Sequence, residues 1–166
     1  MKINTKLLVR LALLSAISLI LGKFLSFKLE PWGRVSLENL TVIMAGYLYG
    51  PLAGIITGAV GDLVGCLCYG YAINPIITVG AAMVGGYAGM FGQNGILKKP
   101  RLYLSVIAAH LTGSLLIKSL GIYLYYATPL ETLILRLPIY IVTGAIEYII
   151  LSIMMRNRGL RALLEN

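Results

Sequence analysis

The feature that most constrains this chain is the near-continuity of its apolar runs. From Leu7 to Met155 they follow one another with almost no polar spacing. A soluble domain needs a polar outer surface, and roughly a quarter of its residues are charged. Here only 12% are charged and 58% are hydrophobic, which is the composition of an integral membrane protein. A span takes about 20 apolar residues, so the length suits five or six spans with short loops and leaves no room for a soluble domain.

The chain is therefore read as one all-α membrane domain, residues 1–166, with six spans at about 7–27, 37–50, 51–70, 75–92, 101–126 and 129–155. The loop "KLEPWGRVS" is the longest polar break in the first half, and "YGP" resets the backbone after a short second span. The polar knot "GQNGILKKPR" precedes the fifth span, "ATP" turns into the sixth, and "RNRGLRALLEN" reads as a surface-lying helical tail. The basic, apolar start resembles a signal peptide. Arg10 and Lys23 interrupt it and no A-x-A site follows, so a retained first span is expected.

Six spans put both termini on one side. Lys2, Lys6, Arg10, Lys98, Lys99, Arg101, Arg156, Arg158 and Arg161 fall there, against Lys28 and Arg34 opposite, with Lys23 near that edge. The positive-inside rule places both termini in the cytoplasm. It also accounts for most of the net charge of +8, so nucleic acid is not needed as a partner. Cys66 and Cys68, one residue apart in an apolar run, suit neither a tertiary disulfide nor a zinc site.

Small residues recur at four-residue intervals: Gly46, Gly50, Gly54 and Gly58; Gly61 and Gly65; Ala81, Gly85 and Gly89. In lipid this spacing lets helix backbones meet, so internal packing is expected of the second to fourth spans. Ala12 and Ala16 in "ALLSA" could serve packing or a partner helix.

Five ionisable residues remain at membrane depth: Asp62, His110, Lys118, Arg136 and Glu147. Each costs a few kcal/mol if unpaired and calls for a partner, a wet cavity or a ligand. With a rise of about 1.5 Å per residue, Lys118 and Arg136 both lie roughly 12–15 Å below the outer surface, level on antiparallel neighbours. An anion between them would relieve their repulsion. It could be external, or Glu131 or Glu147 could neutralise one cation, although Glu131 is five residues from Arg136 and Glu147 eleven. Lys118 could also snorkel. His110 and Glu147, each roughly 13 Å from the cytoplasmic end, can pair across their hairpin. Asp62 could accept hydrogen bonds from a heterocycle or pair with another span.

The outer ends of the spans add Trp32, Arg34 and Asn39, then Tyr71 and Asn74, then Tyr123, Tyr125 and Tyr126. Aromatic belts account for many such tyrosines. Together with the cations, however, they suit a pocket open to the outside for an aromatic, carboxylate-bearing molecule. G-x-x-x-x-G-K-[ST], H-E-x-x-H and G-x-S-x-G are all missing from the sequence, so the chain is expected neither to hydrolyse ATP nor to act as a membrane protease. No catalytic residue or cofactor is expected. Without a convincing inverted repeat, a binding subunit that depends on partners fits better than an independent carrier.

The blocks "LENLTVIMAGYLYGPLAGIITGAVGDLVGC" and "GYAINPIITVGAAMVGG" resemble the substrate-binding (S) components of energy-coupling factor (ECF) transporters, specifically the folate family. The resemblance continues through "HLTGSLLIKSLGIYL", "LRLPIY" and "AIEYII", and "ALLSA" looks like the family's A-x-x-x-A signature. Glu38 departs from the pattern, where a small or polar residue is expected. The resemblance implies a six-helix S-component fold that captures a vitamin outside the cell. Delivery would use a transmembrane coupling protein and two ATPases, with Ala12 and Ala16 facing the coupling protein. It implies folate as ligand, with Trp32, Arg34, Asn39, Asp62, Tyr71, Asn74, Lys118 and Arg136 around it, and a multi-pass, bacterial plasma-membrane location. Two rivals stay open: another anionic aromatic vitamin, and a small proton-coupled carrier relaying through Asp62, His110 and Glu147.

Overall fold

The computed structural model describes residues 5–29, 33–92 and 99–157. Trp32, Lys2, Lys98, Arg158, Arg161, most of the knot before the fifth span and the basic tail lie outside them. The described chain is helical apart from one small hairpin. The first helix, α1, runs Thr5–Lys23. The expected polar loop instead holds two short antiparallel strands, β1 (Phe27–Leu29) and β2 (Gly33–Val35), paired so that Lys28 is opposite Arg34. Then come α2 (Glu38–Tyr49), α3 (Pro51–Tyr69) and α4 (Pro75–Gly92). A long rod follows: α5 (Lys99–Ala108), a π-helical segment (Ala109–Ile117) and α6 (Lys118–Tyr126). The chain closes with a short α7 (Leu130–Ile134) and α8 (Arg136–Arg156).

Five of these rods, among the described residues, are long and apolar enough to cross a membrane: α1, α3, α4, the α5–π–α6 rod and α8. With 12 residues, α2 is shorter, at about 18 Å. Its junction with α3 follows from the local chemistry. Gly50 takes φ +96°, which an L side chain adopts only under strain, and Pro51 opens the next helix where its missing N–H costs nothing.

The glycine series sets the packing. A Cβ on Gly54 would land on the Gly85 carbonyl and one on Gly85 on that of Gly54, so α3 and α4 meet backbone to backbone. Gly46 of α2 likewise faces Gly85 and Gly89, and Gly58 faces Ala81. The four-residue spacing thus serves internal packing, as expected. The apolar core gathers Leu11 and Leu14 of α1, Ile43 of α2, Val84 and Ala88 of α4, Leu102 and Val106 of α5, and Leu151 and Met155 of α8. The early part of α1 and the late part of α8 therefore share one end of the bundle.

Candidate functional site

At the other end, the late part of α1 and the start of α2 face α3, α4 and α6 around a small cavity of about 20 Å³. That volume holds a water or so and no aromatic ring. Its polar lining comes from Ser18, Glu38, Asn39, Asp62 and Lys118, and its glycine walls from Gly22, Gly58 and Gly61.

Lys118 sits at the first turn of α6, only 6% exposed, and its stem lies against Gly80 of α4. Its Nζ donates to Glu38 Oε1 at 2.8 Å. A buried ammonium needs such an acceptor. The Glu38 side chain is 25% exposed and crosses from α2 toward α6. A Cβ on Gly22 would lie 2.8 Å from both Glu38 Cβ and Oε2, so only a glycine leaves that path clear. Ser18 Oγ donates to the Glu38 carbonyl at 2.7 Å and ties α1 to the start of α2. Asn39 Nδ2 donates to Ser114 Oγ in the π segment at 3.2 Å. Across the cavity, Thr78 Oγ1 donates to Asp62 Oδ2 at 2.7 Å.

The remaining expected residues divide by role. Lys118 and Arg136 lie on neighbouring helices, as depth counting requires, but among the described residues they share no hydrogen-bond partner. Arg136 donates to Ser119 Oγ at 2.8 Å and to Tyr140 Oη at 2.6 Å and does not line the cavity. The acid that compensates Lys118 is Glu38, not Glu131 or Glu147. Asn74 uses both ends of its amide within the fold. Nδ2 donates to the Gly121 carbonyl at 3.0 Å, while Oδ1 accepts from the Ile76 and Ile77 N–H groups at 3.0 and 3.3 Å and caps α4. Tyr71 is exposed and stacks on Tyr69 with centroids 6.1 Å apart. Arg34 lies in the backbone of β2.

His110 and Glu147 pair as expected, with Nε2 and Oε2 2.6 Å apart and both buried, and His110 lines a separate apolar groove between the rod and α8. Cys66 and Cys68 are free thiols, and no cluster able to hold a metal occurs among the described residues. Sequence reasoning met Glu38 only as a departure from a pattern. Its signal was an acid followed by an amide at the start of a membrane helix. Ser18, Gly22, Gly58 and Gly61 carried no separate signal, because small residues at those spacings read equally as packing.

On α1, Leu11, Leu14, Ser15 and Ser18 point inward. Ala12 and Ala16 are exposed on the other side, beside Leu13 (58% exposed) and Ile17. This stripe is apolar, narrow-sided and uncovered by the other described residues.

No curated protein sequence matches this chain. Among solved structures it is similar to a crystal structure of FolT bound with folic acid, with TM-score 0.75 and 22% identity over 88% of this chain and 90% of that one. It is also similar to the S component of a bacterial ECF transporter, with TM-score 0.70 and 20% identity over 97% and 98% of the two chains. At these identities the likeness shows the fold. Residues 6–155 match the family described as ECF transporter, substrate-specific component. With nearly the whole sequence so matched, the chain belongs to the substrate-specific components of ECF transporters and is a membrane-embedded transport subunit, not an enzyme.

Proposed function

We propose that this chain is the folate-binding S component of an ECF-type importer in a bacterial plasma membrane, folded as one membrane domain with six spans, α2 being the short one. Both termini are cytoplasmic and the cavity faces outward. The carrying observation is the cavity itself: it lies at the end of the bundle opposite the core shared by early α1 and late α8, and it is lined by Asn39, Asp62 and Lys118. The likeness to a folate-bound protein of the same fold supports the choice of ligand.

In this reading the pterin end enters among Asn39, Asp62 and Lys118. The glutamate carboxylates stay near the β1–β2 hairpin, where Lys28 and Arg34 are register partners, with Trp32 between them in sequence. Tyr71 borders the mouth. Asn74 and Arg136 hold the helices around it through their bonds to Gly121 and to Ser119 and Tyr140. Admission of a ring system requires the walls to part, and the Lys118–Glu38 pair lies between them. The exposed Ala12 and Ala16 stripe meets the transmembrane coupling protein, which two ATPases drive to release the vitamin inside. Equilibrium binding of folate, riboflavin and thiamine to the purified protein tests the assignment. Folate should bind with submicromolar affinity, and folate affinity weaker than micromolar refutes it.

A further inference from the structure

Arg136 is a cation at the start of a membrane span with no acid beside it. Among the described residues its guanidinium has two neutral acceptors, Ser119 Oγ and Tyr140 Oη, and no carboxylate partner. A guanidinium carries five N–H donors, so these two bonds leave three uncommitted. Helix α8 sets its depth. With 21 residues, α8 is about 31 Å long, which matches the thickness of a hydrocarbon core. The short α7 precedes it as a separate helix, so the span begins at Arg136 itself. The guanidinium therefore stands at the edge of the hydrocarbon, nearer the surface than a count from the turn gives.

Arg136 also stands at the head of the apolar groove between the rod and α8. Tyr140, Gly144 and Tyr148 follow it at four-residue intervals on one face of α8, and all three line that groove. The groove holds about 580 Å³, within the range of small-molecule sites. Gly144 and Ala145 make the hollow by withholding side chains midway along α8. Toward the inner end, Tyr103 and Tyr148 meet edge to face with ring centroids 5.7 Å apart. The lining on α8 runs from Tyr140 to Ile149, a rise of about 13 Å, which is the depth of one leaflet. A partner's transmembrane helix crosses both leaflets and needs a groove about twice as long. One acyl chain fits the length.

We propose that Arg136 and this groove form a site for one anionic phospholipid of the leaflet opposite the termini, with its phosphate on Arg136 and one acyl chain in the groove. Net charge decides the class of headgroup. Ser119 and Tyr140 solvate the guanidinium without neutralising it, so a headgroup of net negative charge balances it fully and a zwitterionic one only in part. Hydrogen bonds between a guanidinium and phosphate oxygens are short, strong and often paired, and the low dielectric beside the hydrocarbon strengthens them further. The site depends on the chain's place in the membrane, which its family establishes. Only the naming of that leaflet as the outer one rests on the topology proposed above, and folate has no part in it.

The test is native mass spectrometry of the full chain released from detergent, titrated separately with phosphatidylglycerol and phosphatidylcholine of identical acyl chains. The wild type should retain one phosphatidylglycerol, bound at least fivefold more tightly than phosphatidylcholine, and a smaller preference overturns the proposal. Arg136→Gln should cut that preference at least threefold, and a smaller change overturns the role of Arg136. Ala145→Trp fills the groove from an exposed position and should weaken both lipids at least fivefold. Weaker effects there remove the acyl chain from the groove and overturn the site. Glycerol 1-phosphate in tenfold excess should leave the lipid in place. Displacement would make this a site for free phosphate esters, and lipid-free dimers would give the groove to a second copy; either result overturns the proposal. Should Arg136→Gln not fold, the wild-type preference and Ala145→Trp decide. No arm uses folate, so the ligand assignment stands or falls separately on folate binding by the wild type.

Discussion

Replacing His110 by leucine removes the one hydrogen-bond partner that Glu147 has among the described side chains. Glu147 is 0% exposed, and its Oε2 lies 2.6 Å from His110 Nε2 while Oε1 has no partner among the described residues. Breaking a buried pair strands the remaining group, which costs about 3–5 kcal/mol. Glu147→Leu strands one ring nitrogen instead, at about 1–3 kcal/mol. The double variant strands neither and should lie within about 1–2 kcal/mol of wild type, since well-packed apolar replacements of buried pairs are often neutral. The four proteins form a double-mutant cycle, read by reversible unfolding in mixed micelles of increasing denaturing detergent. A coupling of at least about 2 kcal/mol is expected. Additivity within about 0.5 kcal/mol would refute a stabilising His110–Glu147 pair. Neither residue lines the cavity around Lys118, so folate affinity should stay within threefold in every folded variant. Proton-coupled uptake by the lone chain that vanished in His110→Leu would instead revive the carrier reading.

Three further outcomes are expected. Gly85→Leu places a side chain on the Gly54 carbonyl, and overpacking of this kind costs about 1–3 kcal/mol or more, measurable as lost thermal stability in detergent; an unchanged melting temperature would contradict the backbone-to-backbone contact of α3 and α4. Asn74→Ala removes the cap of α4 and the tie to Gly121, so about 1–2 kcal/mol of stability should go, whereas loss of ligand binding at unchanged stability would make Asn74 a ligand contact. Ala12→Leu and Ala16→Leu should leave folate binding within threefold but abolish transport by the reconstituted importer, because bulk on a small-residue stripe bars close helix approach; collapse of binding would mean that the stripe packs internally.

Much of the helical plan was legible because bilayer thickness, proline and glycine leave few choices. The Gly50–Pro51 break and the glycine contacts of α2, α3 and α4 follow from backbone sterics that operate at short range. The His110–Glu147 pair was legible for a related reason: both residues lie on antiparallel rods, so depth alone brings them level. Depth also brought Lys118 and Arg136 to neighbouring helices, but it says nothing of azimuth. Lys118 turns into the bundle and meets an acid 80 residues away, while Arg136 turns to Ser119 and Tyr140. Partners from a distant helix leave no local spacing to read, which is why Glu38 stood out only as an oddity. The hairpin was hidden for a different reason: three-residue strands fall below any usable period.

The π segment from Ala109 to Ile117 gives the longest rod two independent rotational phases. An α-helix turns about 100° per residue, and the wider π winding offsets everything beyond it from a continuous α-helix. His110, at one end of the segment, is aimed at α8, and Lys118, just past the other end, is aimed at α2. Restoring α winding between them at the same residue number would turn Lys118 by on the order of one residue's rotation, about 100°, and carry its ammonium out of reach of Glu38, with the α5 half undisturbed. Changes between π and α winding in this one stretch therefore act as a dial. They re-aim the α6 half of the rod, which lines the cavity, while the α5 half keeps its contacts with the core, so the cavity wall can change without a redesign of that core.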